Sequence, residues 1–295
     1  MSRLVQLILW LILLAPAAWA FGALWFDFPV ETLREPVAIG YALVAILVVF
    51  ALKNRWRALG FVAGGFAVIL AWWLTLQPSN DRDWQPDVAR TAWAKIDGDR
   101  ITLHNVRNCE YRTETDYTPR WETRVVDLSK LRTVDLAIIY WGPKWMAHTI
   151  VSFQFTDALP IAFSIETRLE KGEKYSAIGG LYRRCELIYV CADERDVLRL
   201  RTNFRKGEEV YLYRTTVTPA EARQRFLEYL TTLNTMHAKA RWYNAVTTNC
   251  TTSIRAQHAA AAHNAWDWRI LFNGYLDRML YEHGVLAGDL PFTEL

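Results

Sequence analysis

Three long runs without a single charge fill the first quarter of the chain: Leu4–Phe26, Val37–Leu52 and Ala58–Leu76. Each approaches the ~20 apolar residues that cross a bilayer, the second being short but tolerable with thinning or tilt. Trp25, Trp72 and Trp73 lie near the ends of these runs, where amphipathic rings prefer the interface. Lys53, Arg55 and Arg57 crowd the second connection, whereas the first carries Asp27, Glu31, Arg34 and Glu35. The positive-inside rule therefore places 53–57 in the cytoplasm and everything after Leu76 outside it. Arg3, an apolar run and Ala18-Trp19-Ala20 also fit a cleaved signal peptide, but the run continues through Phe26, which favours an uncleaved anchor. The expected setting is a multi-pass protein of the bacterial inner membrane, its C-terminal part in the periplasm. Gly60 and Gly64 form a GxxxG pair, a weak signal more often incidental than a dimer face.

The remainder reads as a linker over 77–90, with Pro78, Pro86 and several Asp and Asn residues, followed by one domain over 91–295. A net charge of +3 says little about partners, and no basic run with interleaved aromatics in 77–295 supports nucleic-acid binding. Strands are expected at 100–106, 122–128, 134–141, 148–155, 161–167, 182–191 and 209–216, all rich in β-branched and aromatic residues. Then the period changes. Thr218-Pro219-Ala220-Glu221 is a capping box with proline at the first helical position, followed by Ala222, Phe226, Tyr229, Leu230 and Leu233 at helical spacing. A second helix is expected from Cys250 to about Ala262, and a short third one near 267–281. Strands followed by helices mean an α+β domain with a mainly antiparallel sheet.

Cys250 stands out chemically. It follows Thr247, Thr248 and Asn249, where a polar loop turns into the second helix, with Thr248 or Asn249 as N-cap. Free backbone N–H groups and the positive end of the helix dipole favour the thiolate, which is the nucleophilic form. The alternative is a buried structural cysteine. Four cysteines in an exported domain also admit disulfides. Cys185 and Cys191 are too far apart along one strand to bridge, and a partner for Cys109 stays open.

A nucleophilic thiol needs a base, and the segment 145–168 offers one. Val151, Phe153 and Phe155 share one face of a hairpin with Ile161, Phe163 and Ile165; the other carries His148, Ser152, Gln154, Ser164, Glu166 and Arg168, with Ile150 as the one apolar intruder. His148 is the natural base, Glu166 its orienter, and a helix packed across this polar face would bring Cys250 to them. The bland alternative is a half-wet sheet surface. Asp193, Glu194, Arg195, Asp196, Arg199 and Arg201 form either a solvated surface or an arginine anchor for a phosphate or carboxylate. Asn249, Ser152, Arg168 and Arg195 are the expected substrate-binding residues. His258 and His263 point well apart on a helix, and no Cys-x-x-Cys, His-x-x-x-His, P-loop, dinucleotide fingerprint or Gly-x-Ser-x-Gly is present, so neither a metal nor a cofactor is expected.

Taken together, 108–117, Met146–Thr149, Ser164–Glu166, Glu186–Tyr189, Asp193–Asp196, Leu200–Asn203 and Thr248–Cys250 resemble the periplasmic domain of the Lnb-type family, which includes bacterial lipoprotein N-acyltransferases. The resemblance covers roughly 85–295. It implies a circularly permuted papain-like fold, similar to permuted NlpC/P60 domains, in which the strand histidine precedes the helix cysteine. It maps Cys250 to the nucleophile, His148 to the base and Glu166 to a third polar member. Cys109 stands where another residue is expected and takes no catalytic role. The expected function is a thiol acyltransferase that moves an acyl chain from a phospholipid to the N-terminal amine of a lipoprotein through a thioester. A cell-wall peptidase or amidase using the same pair is the second reading, and a non-catalytic membrane-anchored binding module the third.

Overall fold

A computed structural model describes residues 3–257, 267–288 and 290–294. The chain divides into two units, 1–78 with 175–184, and 79–174 with 185–295.

The first unit holds α1 (Arg3–Asp27), α2 (Glu31–Ala51) and α3 (Arg55–Thr75). All three are long and apolar enough to cross a membrane. Their outward side chains are apolar too: Leu47, Phe50 and Val68 are largely exposed. A helix that is apolar all round suits lipid rather than water. Asn54 caps α3 by accepting from Trp56 N and Arg57 N, which explains why the helix starts among the charges that end the second connection.

The second unit is built on an eight-stranded sheet. Its strands are β1 (Trp93–Asp97), β2 (Arg100–Arg107), β5 (Trp121–Asp127), β6 (Leu131–Trp141), β7 (Ala147–Phe155), β8 (Ile161–Arg168), β9 (Glu186–Ala192) and β10 (Glu208–Arg214); β3 (Glu110–Tyr111) and β4 (Tyr117–Thr118) form a separate small ribbon. The order is β1-β2-β9-β8-β7-β6-β10, with β5 pairing β2. Pairing is antiparallel except where β2 meets β9 at Arg107 and Ala192. Asn105, at φ +57°, sits at the register shift that bends β2 against β5.

Both faces of the sheet are covered. On one, Val151, Phe153, Phe163, Ile165 and Tyr189 pack with Phe226, Tyr229, Leu230 and Leu233 of α5 (Pro219–Ala238) and with Cys250, the first residue of α6 (Cys250–Gln257). The capping box expected at Thr218 and Glu221 is formed, so α5 starts where the sequence says it should. On the other face, Ile150, Ala162, Ile188 and Val190 pack with Trp84, Val88 and Val197, the last from α4 (Glu194–Arg199). Ile150 therefore belongs to a second buried layer.

Three expectations need correction. Residues 79–90 are not a loose linker: Trp84 is buried, and Arg168 holds the segment through Val88 O (2.8 Å), Ala89 O (2.9 Å) and Asn80 Oδ1 (2.9 Å). The strand expected at 182–191 begins only at Glu186, because 182–184 fold with the first unit. The expected helix over 267–281 breaks into short 3-10 turns, Trp268–Ile270 and Asn273–Tyr275, before α7 (Leu276–Glu282). The cysteine pairing that the sequence left open has a plain outcome: Cys109, Cys185, Cys191 and Cys250 are free thiols and buried. The expected stretch of α6 beyond Gln257, with His258 and His263, lies outside the described residues.

Candidate functional site

The loop before Cys250 is closed by its own amides. Asn244 Oδ1 accepts from Val246 N and Thr247 N, both at 3.0 Å, and Thr248 N donates to Asn244 O. Asn249 is the N-cap: its Oδ1 accepts from Thr252 N (2.9 Å) and its Nδ2 donates to Ala245 O (2.9 Å), while Thr252 Oγ1 accepts from Asn249 N (2.9 Å). Every polar atom of the Asn249 side chain is thus used to shape the loop. Asn249 is a structural cap, where the sequence suggested a substrate contact.

Cys250 is 7% exposed. Its sulfur accepts a hydrogen bond from Asn273 Nδ2 (3.4 Å) and lies 3.7 Å from Thr251 Oγ1. Asn273 is itself fixed, because its Oδ1 accepts from Ala147 N at 2.8 Å. Next to it Gly274 N donates to Trp145 O (3.1 Å) and Tyr140 Oη donates to Gly274 O (3.2 Å). A Cβ at Gly274 would stand 2.2 Å from Lys144 O, so only glycine allows this approach. The turn at 273–275 therefore works as a clamp that ties the thiol to the entrance of β7. On the same sheet face Thr149 Oγ1 is buried without a hydrogen-bond partner among the described residues.

His148 is elsewhere. Its neighbours Thr149 and Val151 point to the Cys250 side, so by alternation His148 shares the opposite face with Ile150, which pairs with Ser164. There His148 Nε2 lies 2.7 Å from Ser164 Oγ, Ser164 Oγ donates to Glu166 Oε1 (2.7 Å), and Arg201 Nη2 lies 3.7 Å from the same oxygen. With the Ser164 hydroxyl donating to the Glu166 carboxylate, the ring proton is assigned to Nε2, which donates to Ser164 Oγ. Arg201 continues to Glu208 (3.0 Å). Further along, Arg107 grips Asp196, whose Oδ2 accepts from Cys109 N (2.6 Å).

The electrostatics suit a structural lock. Burial, reinforced by the positive charge of Arg201, lowers His148 to about 3, so the ring is neutral around pH 7. Burial pushes Glu166 up, but Arg107, Arg201 and the serine hydroxyl outweigh it and bring the carboxyl to about 2. His148, Ser164 and Glu166 lie together on one face of the hairpin, with Ser164 standing between the ring and the carboxylate and His148 Nε2 3.9 Å from Glu166 Oε1. The Cys250 helix does not join them, because both faces of the sheet are buried and α6 covers the other one.

The remaining expected contacts are also occupied. Ser152 donates to Glu194, which also accepts from Gln154. Arg168 is 1% exposed, lies over the Trp84 ring at 4.3 Å and is lowered to about 10 by burial. Arg195 is exposed and pairs with Asp193 (3.2 Å). None of these side chains contacts Cys250 in the described structure. Asn273 escaped the sequence reading because its region scanned as helix; the Asn273-Gly274 dipeptide was the available turn signal. Among the described residues no group of three or more His, Cys, Asp or Glu could hold a metal ion.

An α+β domain with a helix-borne thiol, preceded by three helices long and apolar enough to cross a membrane, has the make-up of a membrane-anchored protein. Residues 117–274 match the model of the Lnb N-terminal periplasmic domain, more than half of the chain, and the protein belongs to that family. The matched span contains His148, Glu166, Cys250 and Asn273. No curated protein and no solved structure gives a significant match.

Proposed function

We propose that the protein is a multi-pass inner-membrane thiol acyltransferase acting in the periplasm in lipoprotein modification, with Cys250 as the acyl carrier. The observation that carries this reading is the environment of the sulfur. Burial pushes Cys109 and Cys191 up to about 12, which leaves them as inert thiols. Cys250 instead opens a helix and receives an amide N–H from Asn273. A donor aimed at sulfur favours the thiolate, the form that attacks a carbonyl.

The sulfur attacks an ester carbonyl carbon of a phospholipid. A C–S bond forms, the ester C–O bond breaks, and the thiol proton leaves with the glycerol oxygen of the lysophospholipid. In the second step the N-terminal amine of a lipoprotein attacks the thioester: a C–N bond forms, the C–S bond breaks and an amine proton returns to sulfur. A covalent intermediate divides one difficult transfer into two easier steps. The first-turn N–H groups of Cys250 and Thr251, which an α-helix leaves without intrahelical partners, face the developing oxyanion. His148 and Glu166, on the other face of the sheet, take no proton in this scheme, and the Cys–His pair of a papain-like site is not part of it.

The test is mass spectrometry of the purified full chain in phospholipid. The expected result is an acyl adduct on Cys250, absent from Cys250→Ala and discharged by a lipoprotein peptide with a free N-terminal cysteine. No adduct in the wild type, with the lipoprotein left unmodified, overturns the reading. Cleavage of peptidoglycan fragments in a parallel incubation would instead establish a peptidase.

A further inference from the structure

Residues 175–184 leave the sheet domain's sequence and fold with the helices of the first unit. Tyr182 stacks on Phe26 (centroids 5.3 Å apart, 28° between planes) and lies 6.1 Å from the Trp19 ring. Trp19 is eight residues before the end of α1, a depth of roughly 12 Å at 1.5 Å per residue. The seat is made by a glycine: a Cβ on Gly22 would stand 1.9 Å from Tyr182 Oη. Arg183 completes the attachment. Its N–H donates to Asp27 Oδ2 (3.0 Å), which also accepts from Trp73 Nε1 (2.6 Å). Its guanidinium lies 3.9 Å over the Trp73 ring and donates to the terminal carbonyls of α3, Trp73 O (2.6 Å) and Leu76 O (2.9 Å).

The tip of the segment is tightened by Ser176, whose Oγ and O accept from Gly179 N (3.0 Å) and Gly180 N (2.8 Å). A Cβ on Gly179 would lie 3.3 Å from Phe26 Cδ1, so the tip is level with the last turn of α1. That turn belongs to the aromatic belt formed by Trp25, Trp72 and Trp73. At this level the tip exposes apolar side chains, Ile178 at 63% and Leu181 at 44%.

We propose that 175–184 is a membrane-inserted wedge, with Ile178 and Leu181 immersed at the boundary between headgroups and acyl chains of the periplasmic leaflet. The proposal rests on the reading of α1–α3 as membrane-spanning. An exposed apolar tip held at the depth of a transmembrane helix end has lipid as its neighbour, and its burial there is favourable in proportion to apolar area. Tyr182 and Arg183 supply the fixed geometry that a loop needs to stay at that depth.

The test uses the full chain in nanodiscs of phosphatidylethanolamine and phosphatidylglycerol, with a spin label at Ile178→Cys, Leu47→Cys or Arg120→Cys and the parent protein as background. Collision with oxygen reports lipid and collision with a water-soluble nickel chelate reports water. Ile178 should behave like Leu47 on the exposed face of α2, with nickel collisions several-fold below those at exposed Arg120. Tyr182→Ala, or Gly22→Val should Tyr182→Ala fail to fold, should move the Ile178 label toward the Arg120 behaviour. A water-type signal at 178 with a lipid-type signal at 47 overturns the wedge and leaves the membrane reading standing. A water-type signal at 47 overturns the membrane reading and the wedge together. An Ile178 label that stays lipid-type in both seat variants overturns the role given to Tyr182.

Discussion

His148→Gln separates the two roles that this histidine has in the sequence and in the structure. Glutamine keeps an N–H that can donate to Ser164 and removes the titratable ring. In the folded chain the ring resists protonation down to about pH 3, while the unfolded ring takes a proton near its ordinary value of 6.5. Between those values the unfolded state binds more protons, so stability rises with pH and is lost on acidification. From pH 7.5 to 5.0 the loss from this group comes to about 2 kcal/mol. For a domain of this size that corresponds to roughly 4–8 °C in Tm. Glu166 acts in the same sense, but only as pH falls from 4.5 toward about 2, outside that range.

The assay is thermal unfolding of the full chain in nanodiscs, followed by tryptophan fluorescence at several pH values. Wild type should lose about 2 kcal/mol more than His148→Gln between pH 7.5 and 5.0. In parallel, iodoacetamide labelling of Cys250 at pH 7, read by mass spectrometry, should be nearly unchanged in His148→Gln. A variant with the wild-type pH slope, or a folded imidazole titrating near 6.5 by NMR, would refute the buried, neutral assignment. A many-fold fall in Cys250 labelling would restore histidine to the thiol's chemistry.

Other residues give equally direct outcomes. Asn273→Ala and Asn273→Asp should each slow acyl loading of Cys250 by about tenfold or more, the worth of one charge-assisted hydrogen bond. Asn273→Asp keeps the acceptor for Ala147 N and so should retain more thermal stability than Asn273→Ala; equal loading rates in wild type and both variants would remove Asn273 from the site. Asp196→Ala strands Arg107 and the Cys109 N–H in the interior and should cost about 3–5 kcal/mol in a denaturant titration. Thr218→Ala removes the N-cap of α5 and should cost about 1 kcal/mol, read as a lower Tm with no change in Cys250 labelling.

The contrast between Cys250 and His148 shows where the sequence stops being legible. Alternation along 147–155 and 161–168 correctly sorts side chains into two faces, because a pleated strand allows nothing else. The capping box at Thr218 and the cap at Asn249 were visible because they are local chemistry. What decides which face receives α6 is not local. The patch around Ile150 is completed by Ala162, Ile188 and Val190, which come together only when β7, β8 and β9 pair. Once α4 and residues 84–88 cover that patch, the polar side chains beside it are largely shielded, and a largely shielded histidine held by Ser164 beside Arg201 is kept neutral. The same holds for the thiol's partner. Asn273 reaches Cys250 because Gly274 lets a turn lie against the backbone at Lys144, a contact across 130 residues that no periodicity encodes. Short-range patterns locate a thiol at a helix start; the partner of that thiol is fixed by which surfaces the completed sheet still has to bury.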